Sequence, residues 1–511
     1  MELNLQRKIG QLFMVGFDGL VANDHIRRMI QEHDVGGVIL FRRNVESPEQ
    51  VAKLCRDLQE MNAKVSPIPL LIAIDQEGGM VMRIERGMTP VPSAMAFQEA
   101  GSLADCEQLT KVSGEELRRI GINMNLAPVL DVNNNPMNPV IGVRSYGEDS
   151  DTVIAYGMAA LRGLQKSGLV VTAKHFPGHG DTSIDSHYAM PLIAHNRQRL
   201  DAVELPPFRA AIAQGVHAIM TAHVVFPAIE PEPDLPATLS KNVLTDLLRH
   251  ELGYTGVIVT DCLEMAAISE GMGVAKGAIA TLRAGSDLVL ISHLEERQTD
   301  AIRAVVNAVQ TGVIASERID EAMQRILQLK QISAVANWRN LPLHPEGLRG
   351  AESLALSRHV YKASLRTGNN FQALQATLPV TLITVEMQAR TEVDEATNSE
   401  EDRSSMLFEM RKAGLDVREY ILPFNASNEE VADALAFAKE AQQIVMQTYN
   451  AVFSAGQQQL IATFLHDKLW LVAGRLPYDL NLAPQAQGRL ANFSNRPVAL
   501  VSVVDKLIGR I

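Results

Sequence analysis

Short apolar, β-branched runs alternate with longer stretches of helical period through the first two-thirds of the chain. Strands are predicted at FMVGF (13–17), GGVILF (36–41), LLIAID (70–75), INMNLAP (122–128), LVVTAKH (169–175), HAIMTAH (217–223), GVIVTD (256–261) and DLVLIS (287–292). Between and after them, apolar positions recur at helical spacing over 47–62, 104–121, 151–167, 242–252 and 295–332. Strand followed by helix, repeated in this way, predicts an α/β fold, either a parallel (β/α)8 TIM-type barrel or a large doubly wound sheet. The polar residues decide between the two. Asp75, His175, His223, Asp261 and Ser292 each stand at the carboxyl end of a predicted strand, and the barrel is the fold whose strand ends converge on one site.

The pattern changes after the last long helix. NWRNLPLHPE (337–346) has two prolines and no periodicity, the mark of a connecting segment. The expected organisation is a barrel over 1–335, a linker over 336–350 and an α/β sandwich domain over 351–511. In the last part, helices are predicted at 350–366, 404–413, 428–442 and 455–466, with strands at 379–385, 417–422, 443–449, 469–474 and 498–504. That alternation predicts three layers around a mostly parallel sheet. The acidic, hydroxyl-rich stretch 392–405 reads as a solvated loop.

Composition narrows the classes of function. The 511 residues carry 47 Lys+Arg against 59 Asp+Glu, a formal charge of -12, which repels nucleic acid and anionic membrane surfaces. Cys55, Cys106 and Cys262 form no C-x-x-C pair and leave an odd thiol, so neither a disulfide framework nor a zinc ribbon is indicated. The first ten residues mix charges, and no run approaches the roughly 18 apolar residues of a bilayer span. A cytoplasmic protein without membrane insertion is expected.

Four segments carry chemistry. KHFPGHGDTSIDSH (174–187) holds one lysine, three histidines and two aspartates around turn-forming residues, too ionisable for core and too broken for helix. Pro177 and Gly178 prevent the helix that would put His175 and His179 on one face as metal ligands. Asp185 and His187 are two apart, so the carboxylate can orient the imidazole and the pair can deliver a proton near neutral pH; a salt-bridged surface histidine is the plainer alternative. In GVIVTDCLEM (256–265), a β-branched run ends in Asp261, which suits a nucleophile or oxocarbenium stabiliser or a helix N-cap. Glu264 sits at the capping-box position. In LIAIDQEGGMVMR (71–83), Asp75 ends a buried strand, and Gly78 and Gly79 permit a tight loop that brings Arg83 back toward the barrel mouth. Asp131, the asparagines after it and Arg144 form the fourth group, with Asp131 read as a turn builder or a pocket residue. Carboxylates and guanidinium groups sharing one pocket suit hydroxyl-rich, neutral ligands such as sugars.

Taken in order, these segments resemble glycoside hydrolase family 3, in its β-N-acetylhexosaminidase branch, over roughly residues 5–335. The resemblance implies a retaining exo-β-N-acetylglucosaminidase acting on terminal β-linked GlcNAc of peptidoglycan fragments or chitooligosaccharides. It implies Asp261 as nucleophile of a covalent glycosyl intermediate and an Asp185–His187 acid/base dyad. It further implies Asp75, Arg83, Arg144, Lys174 and His175 as sugar-binding residues. Cofactors and metals are not expected, and the partner is a GlcNAc-containing small molecule or muropeptide. Two alternatives are a phosphorylase on the same scaffold, since a histidine acid/base does not repel incoming phosphate, and a non-catalytic sugar-binding protein. Glu386, Glu392 and Glu395 are expected at the surface, and Asp394 with Glu395 lies outside the barrel.

Overall fold

A computed structural model of the chain describes residues 4–183, 190–341, 343, 345–369, 371–386 and 405–511. All eight barrel strands predicted from the sequence are present: β1 (Phe13–Val15), β2 (Gly37–Leu40), β3 (Leu71–Ile74), β6 (Met124–Asn125), β7 (Val170–Phe176), β8 (Ala218–Thr221), β9 (Val257–Val259) and β10 (Val289–Ile291). A small hairpin of β4 (Gln76–Gly78) and β5 (Val81–Met82) follows β3. The strands pair in parallel in the order β10-β1-β2-β3-β6-β7-β8-β9. The Val259–Leu288 bridge then joins the two ends, with Thr260 N donating to Leu288 O at 3.0 Å, so the sheet closes on itself. Every residue of β1, β2, β3 and β10 is buried. That explains their unbroken apolar runs, because both faces of a barrel strand are covered.

The outer helices begin where side chains stop the preceding loop. Ser47, Ser102 and Asp149 each accept a hydrogen bond from an amide of the first helical turn, opening Pro48–Ala63, Leu103–Arg119 and Ser150–Lys166, which offsets part of the unsatisfied donor set there. One prediction needs correction: the helix read over 295–332 is two helices, Glu295–Gln310 and Ser316–Leu329. Gly312 lies between them at φ +76°, a conformation that ends a helix.

The second sheet runs β11-β16-β15-β14-β12-β13, formed by β11 (Arg366–Thr367), β12 (Val380–Val385), β13 (Val417–Leu422), β14 (Gln443–Thr448), β15 (Leu469–Ala473) and β16 (Gly488–Ala491). Only β11 is antiparallel within it. Alternate residues of β12 enter different apolar layers. Val380 and Leu382 pack with Met410 and Leu500, whereas Ile383 and Val385 pack with Val431 and Leu460. The domain is therefore a three-layer sandwich. A second correction falls here: 498–504, read as a strand, lies in the helix Pro497–Leu507, and the strand beside it is β16.

The sandwich packs onto the carboxyl-end loops of the barrel. Met80, Met95 and Val143 share one apolar cluster with Leu476 and Phe493. Polar ties run from Ser93 Oγ to Phe493 O (3.2 Å) and from Asn133 Nδ2 to the Tyr478 hydroxyl (2.9 Å).

Candidate active site

A cavity lies at the carboxyl ends of the barrel strands, the place where the loops of such a barrel converge on one site. Asp75, Arg83, Arg144, Lys174, His175 and Asp261 all line it. They arrive from separate elements. Asp75 follows β3, Arg83 follows the β4–β5 hairpin, Lys174 and His175 belong to β7, Asp261 follows β9, and Arg144 ends a single helical turn, Gly142–Arg144. Positive φ at Gly78 (+114°) and Gly79 (+58°) allows the hairpin to fold back, and it brings Arg83 Nη2 within 3.4 Å of Asp75 Oδ2.

These side chains form a buried charge network. Lys174 Nζ contacts Asp75 Oδ1 at 2.7 Å and Glu77 Oε1 at 2.6 Å. Arg144 grips Glu77 with two parallel bonds, Nε to Oε2 at 2.9 Å and Nη2 to Oε1 at 2.8 Å, the bidentate geometry favoured by guanidinium and carboxylate. Burial alone would push Glu77 upward, yet Arg144 and Lys174 outweigh it and hold the carboxyl well below the usual range. Burial likewise disfavours the charged form of Lys174, and Asp75 and Glu77 reverse that, raising it. Glu77 is thus held as a carboxylate and Lys174 as an ammonium ion, and the network presents fixed donors and acceptors to hydroxyl groups.

An irregularity in β7 sets two more side chains. Its register against β8 shifts between Ala173 and Phe176, and such a bulge re-aims side chains that would otherwise alternate between faces. Lys174 and His175, adjacent in sequence, consequently both line the cavity. Beneath them, fully buried Asp131 accepts from His175 Nδ1 at 2.7 Å and from the His179 amide at 2.7 Å. Burial would raise Asp131, but the two histidines dominate and lower it. The carboxylate is therefore charged, fixes the His175 ring and leaves Nε2 as the nitrogen available to the cavity. Asp131 is a pocket-supporting residue as well as a turn residue. Of the asparagines after it, Asn135 and Asn133 do build the turn, accepting from the Met137 and Gly142 amides at 3.0 Å each, while Asn138 Nδ2 ties the loop to the carbonyls of His179 and Gly180 at 2.9 Å each.

Asp261 does not cap a helix. Its Oδ1 accepts from the Cys262 amide at 2.7 Å, and the next helix, Ala266–Ser269, is capped at Met265. His223 stands behind it, Nε2 bonded to Cys262 O (2.9 Å) and Nδ1 to Thr238 Oγ1 (2.8 Å). It therefore positions the loop without lining the cavity. Glu264 makes no capping box in its own segment: it accepts from the amides of His293 (2.6 Å) and Leu294 (3.0 Å), opening the helix Glu295–Gln310. The wall near Asp261 is largely apolar and aromatic, with Phe41, Met220, Met265, Leu290 and His293 beside Cys262 and Ser292. Phe41 and His293 stack at 5.6 Å, and the Arg43 guanidinium lies 4.4 Å from the Phe41 ring centre.

Asp185 and His187 lie outside the described residues, as do Glu392, Asp394 and Glu395. Glu77, Phe41, Met220 and His293 are site residues that the sequence did not single out. Glu77 stood in the DQEGG segment and His293 just beyond a predicted strand, so position alone offered a signal for both. Among the described residues, one trio has metal-ligand atoms within 4.8 Å of one another: Cys262, Glu264 and His293. No helix of the described residues is long and apolar enough to cross a membrane.

Comparison with known proteins agrees with this arrangement. A β-N-acetylglucosaminidase of glycoside hydrolase family 3 from Paenibacillus sp. str. FPU-7 is 46% identical, with 100% of this chain and 97% of that one covered and a TM-score of 0.94. A beta-hexosaminidase A from Pseudoalteromonas piscicida is 38% identical over 326 residues, 60% of this chain and 54% of that protein, so the match spans about half of that relative's length. A beta-hexosaminidase from Alkalilimnicola ehrlichii is 34% identical over 334 residues, 64% of this chain and 91% of the relative. The model of the glycosyl hydrolase family 3 N terminal domain matches residues 4–329. With the barrel, the appended sandwich and this match in place, the chain belongs to glycosyl hydrolase family 3, in its β-N-acetylhexosaminidase branch.

Proposed function

We propose that the chain is a retaining exo-β-N-acetylglucosaminidase that removes terminal β-linked GlcNAc from peptidoglycan fragments or chitooligosaccharides. The observation that carries this is the position of Asp261. It faces, across one cavity, the polar set Asp75, Arg83, Arg144 and Lys174 together with His175. In the proposed reaction, this set holds the hydroxyl groups of the terminal sugar. Asp261 attacks the anomeric carbon as the leaving oxygen takes a proton from His187, which is oriented by Asp185. Water then adds to the glycosyl ester, with His187 accepting its proton, and the free sugar leaves with its configuration retained. Relatives described as beta-hexosaminidases and a β-N-acetylglucosaminidase support the substrate class. Three buried, unpaired cysteines fit a reducing compartment, consistent with work in the cytoplasm on recycled wall fragments.

The reading is tested by trapping. A 5-fluoro-N-acetylglucosaminyl fluoride is expected to leave one glycosyl adduct on the peptide containing Asp261, and an adduct elsewhere would overturn the assignment. His187→Ala is expected to lose about 10²–10⁴-fold on GlcNAc–MurNAc or chitobiose, the usual contribution of general acid catalysis. It should keep most of its glycosylation rate on a nitrophenyl glycoside, whose leaving group needs no proton. Equal loss on both substrates would remove His187 from the role. Parallel reactions with phosphate separate hydrolysis from phosphorolysis by the product, free sugar or sugar 1-phosphate.

A further inference from the structure

The wall beside Asp261 carries a second constellation that the glycosidase reaction does not use. Cys262 and Glu264 follow β9 and His293 follows β10, the two strands whose bridge closes the barrel. One ligand atom from each, Cys262 Sγ, a Glu264 oxygen and a His293 ring nitrogen, lies within 4.8 Å of the other two. A tetrahedral ion with bond lengths of about 2.0–2.3 Å needs its ligands roughly 3.3–3.8 Å apart. The trio therefore has to close by about 1 Å, within reach of a rotation of the half-buried His293 ring.

Two features hold the scaffold for this. The Glu264 carboxylate is fixed by the His293 and Leu294 amides, with Arg297 Nη1 3.8 Å from Oε1, and each oxygen carries a second lone pair. The Cys262 carbonyl is held by His223 Nε2 at 2.9 Å. Ligands oriented by surrounding hydrogen bonds are the ones that bind metals well. One sulfur, one imidazole nitrogen and one carboxylate oxygen make a borderline-soft donor set that suits zinc and its neighbours over magnesium or calcium. Cys262 and His293 also line the cavity, so the fourth coordination position opens toward it.

We propose that Cys262, Glu264 and His293 form a binding site for a borderline-soft divalent cation, zinc foremost, and that its occupancy blocks the cavity beside Asp261. Binding exchanges the thiol proton for the metal: the S–H bond breaks, a sulfur–zinc bond forms and the proton passes to water. The inhibitory half of the proposal rests on the role of Asp261 given above; the binding half does not.

The test uses chelator-treated, metal-free full-length protein. One equivalent of cobalt(II) is expected to give a near-ultraviolet thiolate-to-cobalt charge-transfer band that zinc then displaces. Cys262→Ser should lack the band, and Cys55 and Cys106 remain in that variant as internal controls. Turnover of a chromogenic β-GlcNAc substrate should fall on titration with zinc and return with chelator. The half-inhibitory concentration should rise at least about tenfold in Cys262→Ser and His293→Gln, each referred to its own metal-free rate. Absence of the band from the wild type, or its persistence in Cys262→Ser, overturns the site. A band with undiminished turnover overturns the inhibitory half, independently of whether the fluorinated sugar labels Asp261.

Discussion

Glu77 shows how one side chain sets the character of the pocket. It accepts from both Arg144 and Lys174 and is nearly buried, with its side chain 7% exposed. Glu77→Gln would take from Lys174 and Arg144 the carboxylate they share, and breaking such a buried arrangement costs about 3–5 kcal/mol. Urea unfolding at pH 7 is expected to show that loss. The pH dependence follows from the direction of the shift. The folded carboxyl lies below its unfolded value, so its contribution is complete above about pH 4.3 and is lost as pH falls further, because the unfolded chain then binds the proton first. The gap between wild type and Glu77→Gln should therefore narrow below about pH 4; a gap independent of pH would sink the account. Residues of this kind were the hard part of the sequence. Asp75, Lys174, His175 and Asp261 were legible because an apolar run ends on a charged group. Glu77 and Asp131 act through partners from other loops, and nothing local in the chain announces those pairings.

Among the elements, most strands and helices were legible because their apolar periods are clean. The exceptions have physical causes. VALVSVV (498–504) is rich in β-branched residues, yet Ala499, Leu500, Val503, Val504 and Leu507 are buried while Val501 is exposed, which is helical spacing. Pro497 opens that helix at its first turn, where its missing N–H costs nothing. The β7 irregularity that puts both Lys174 and His175 in the cavity depends on pairing with β8 and has no local signature. The misread helix also has a role at the site, because Arg496 immediately before it reaches across to the barrel. Its guanidinium contacts Glu85 at 2.8 Å and the Met80 carbonyl at 3.2 Å, bracing the hairpin that returns Arg83. Arg42 Nη2 meets the same Glu85 Oε1 at 2.8 Å, so removing Arg496 does not strand that carboxylate. Arg496→Met is expected to raise KM and to lower kcat/KM by up to about 100-fold, the scale of a misplacement near 1 Å. An unchanged KM would mean that the hairpin holds its shape without the sandwich domain.

For the molecule as a whole, the site occupies one end of the barrel and an isolated charge sits in the other. Lys330, 2% exposed, follows the last barrel helix and donates to Gln11 Oε1 at 2.8 Å and to Gly36 O at 2.7 Å, just before β2. It ties the end of the barrel domain back to its beginning with neutral acceptors alone. Burial consequently pushes its ammonium group down to about 7, against about 10.4 in an unfolded chain. From about pH 7 to 10.4 the unfolded state binds more protons than the folded state at this position, so global stability rises with pH across that window. Opposing this, burial raises the thiols of Cys55, Cys106 and Cys262. Above about pH 8.5 the unfolded thiols ionise first and stability falls. The lysine is thus read cleanly between pH 7 and 8.5, where the wild type should gain about 2 kcal/mol relative to Lys330→Met. Below about pH 7 the difference should flatten, because the folded and unfolded wild type then both hold the proton. Paired urea curves at half-unit pH steps measure the difference directly. Parallel stability profiles would show that the ammonium keeps its charge through neutral pH, with water or a shift of the surrounding backbone solvating it.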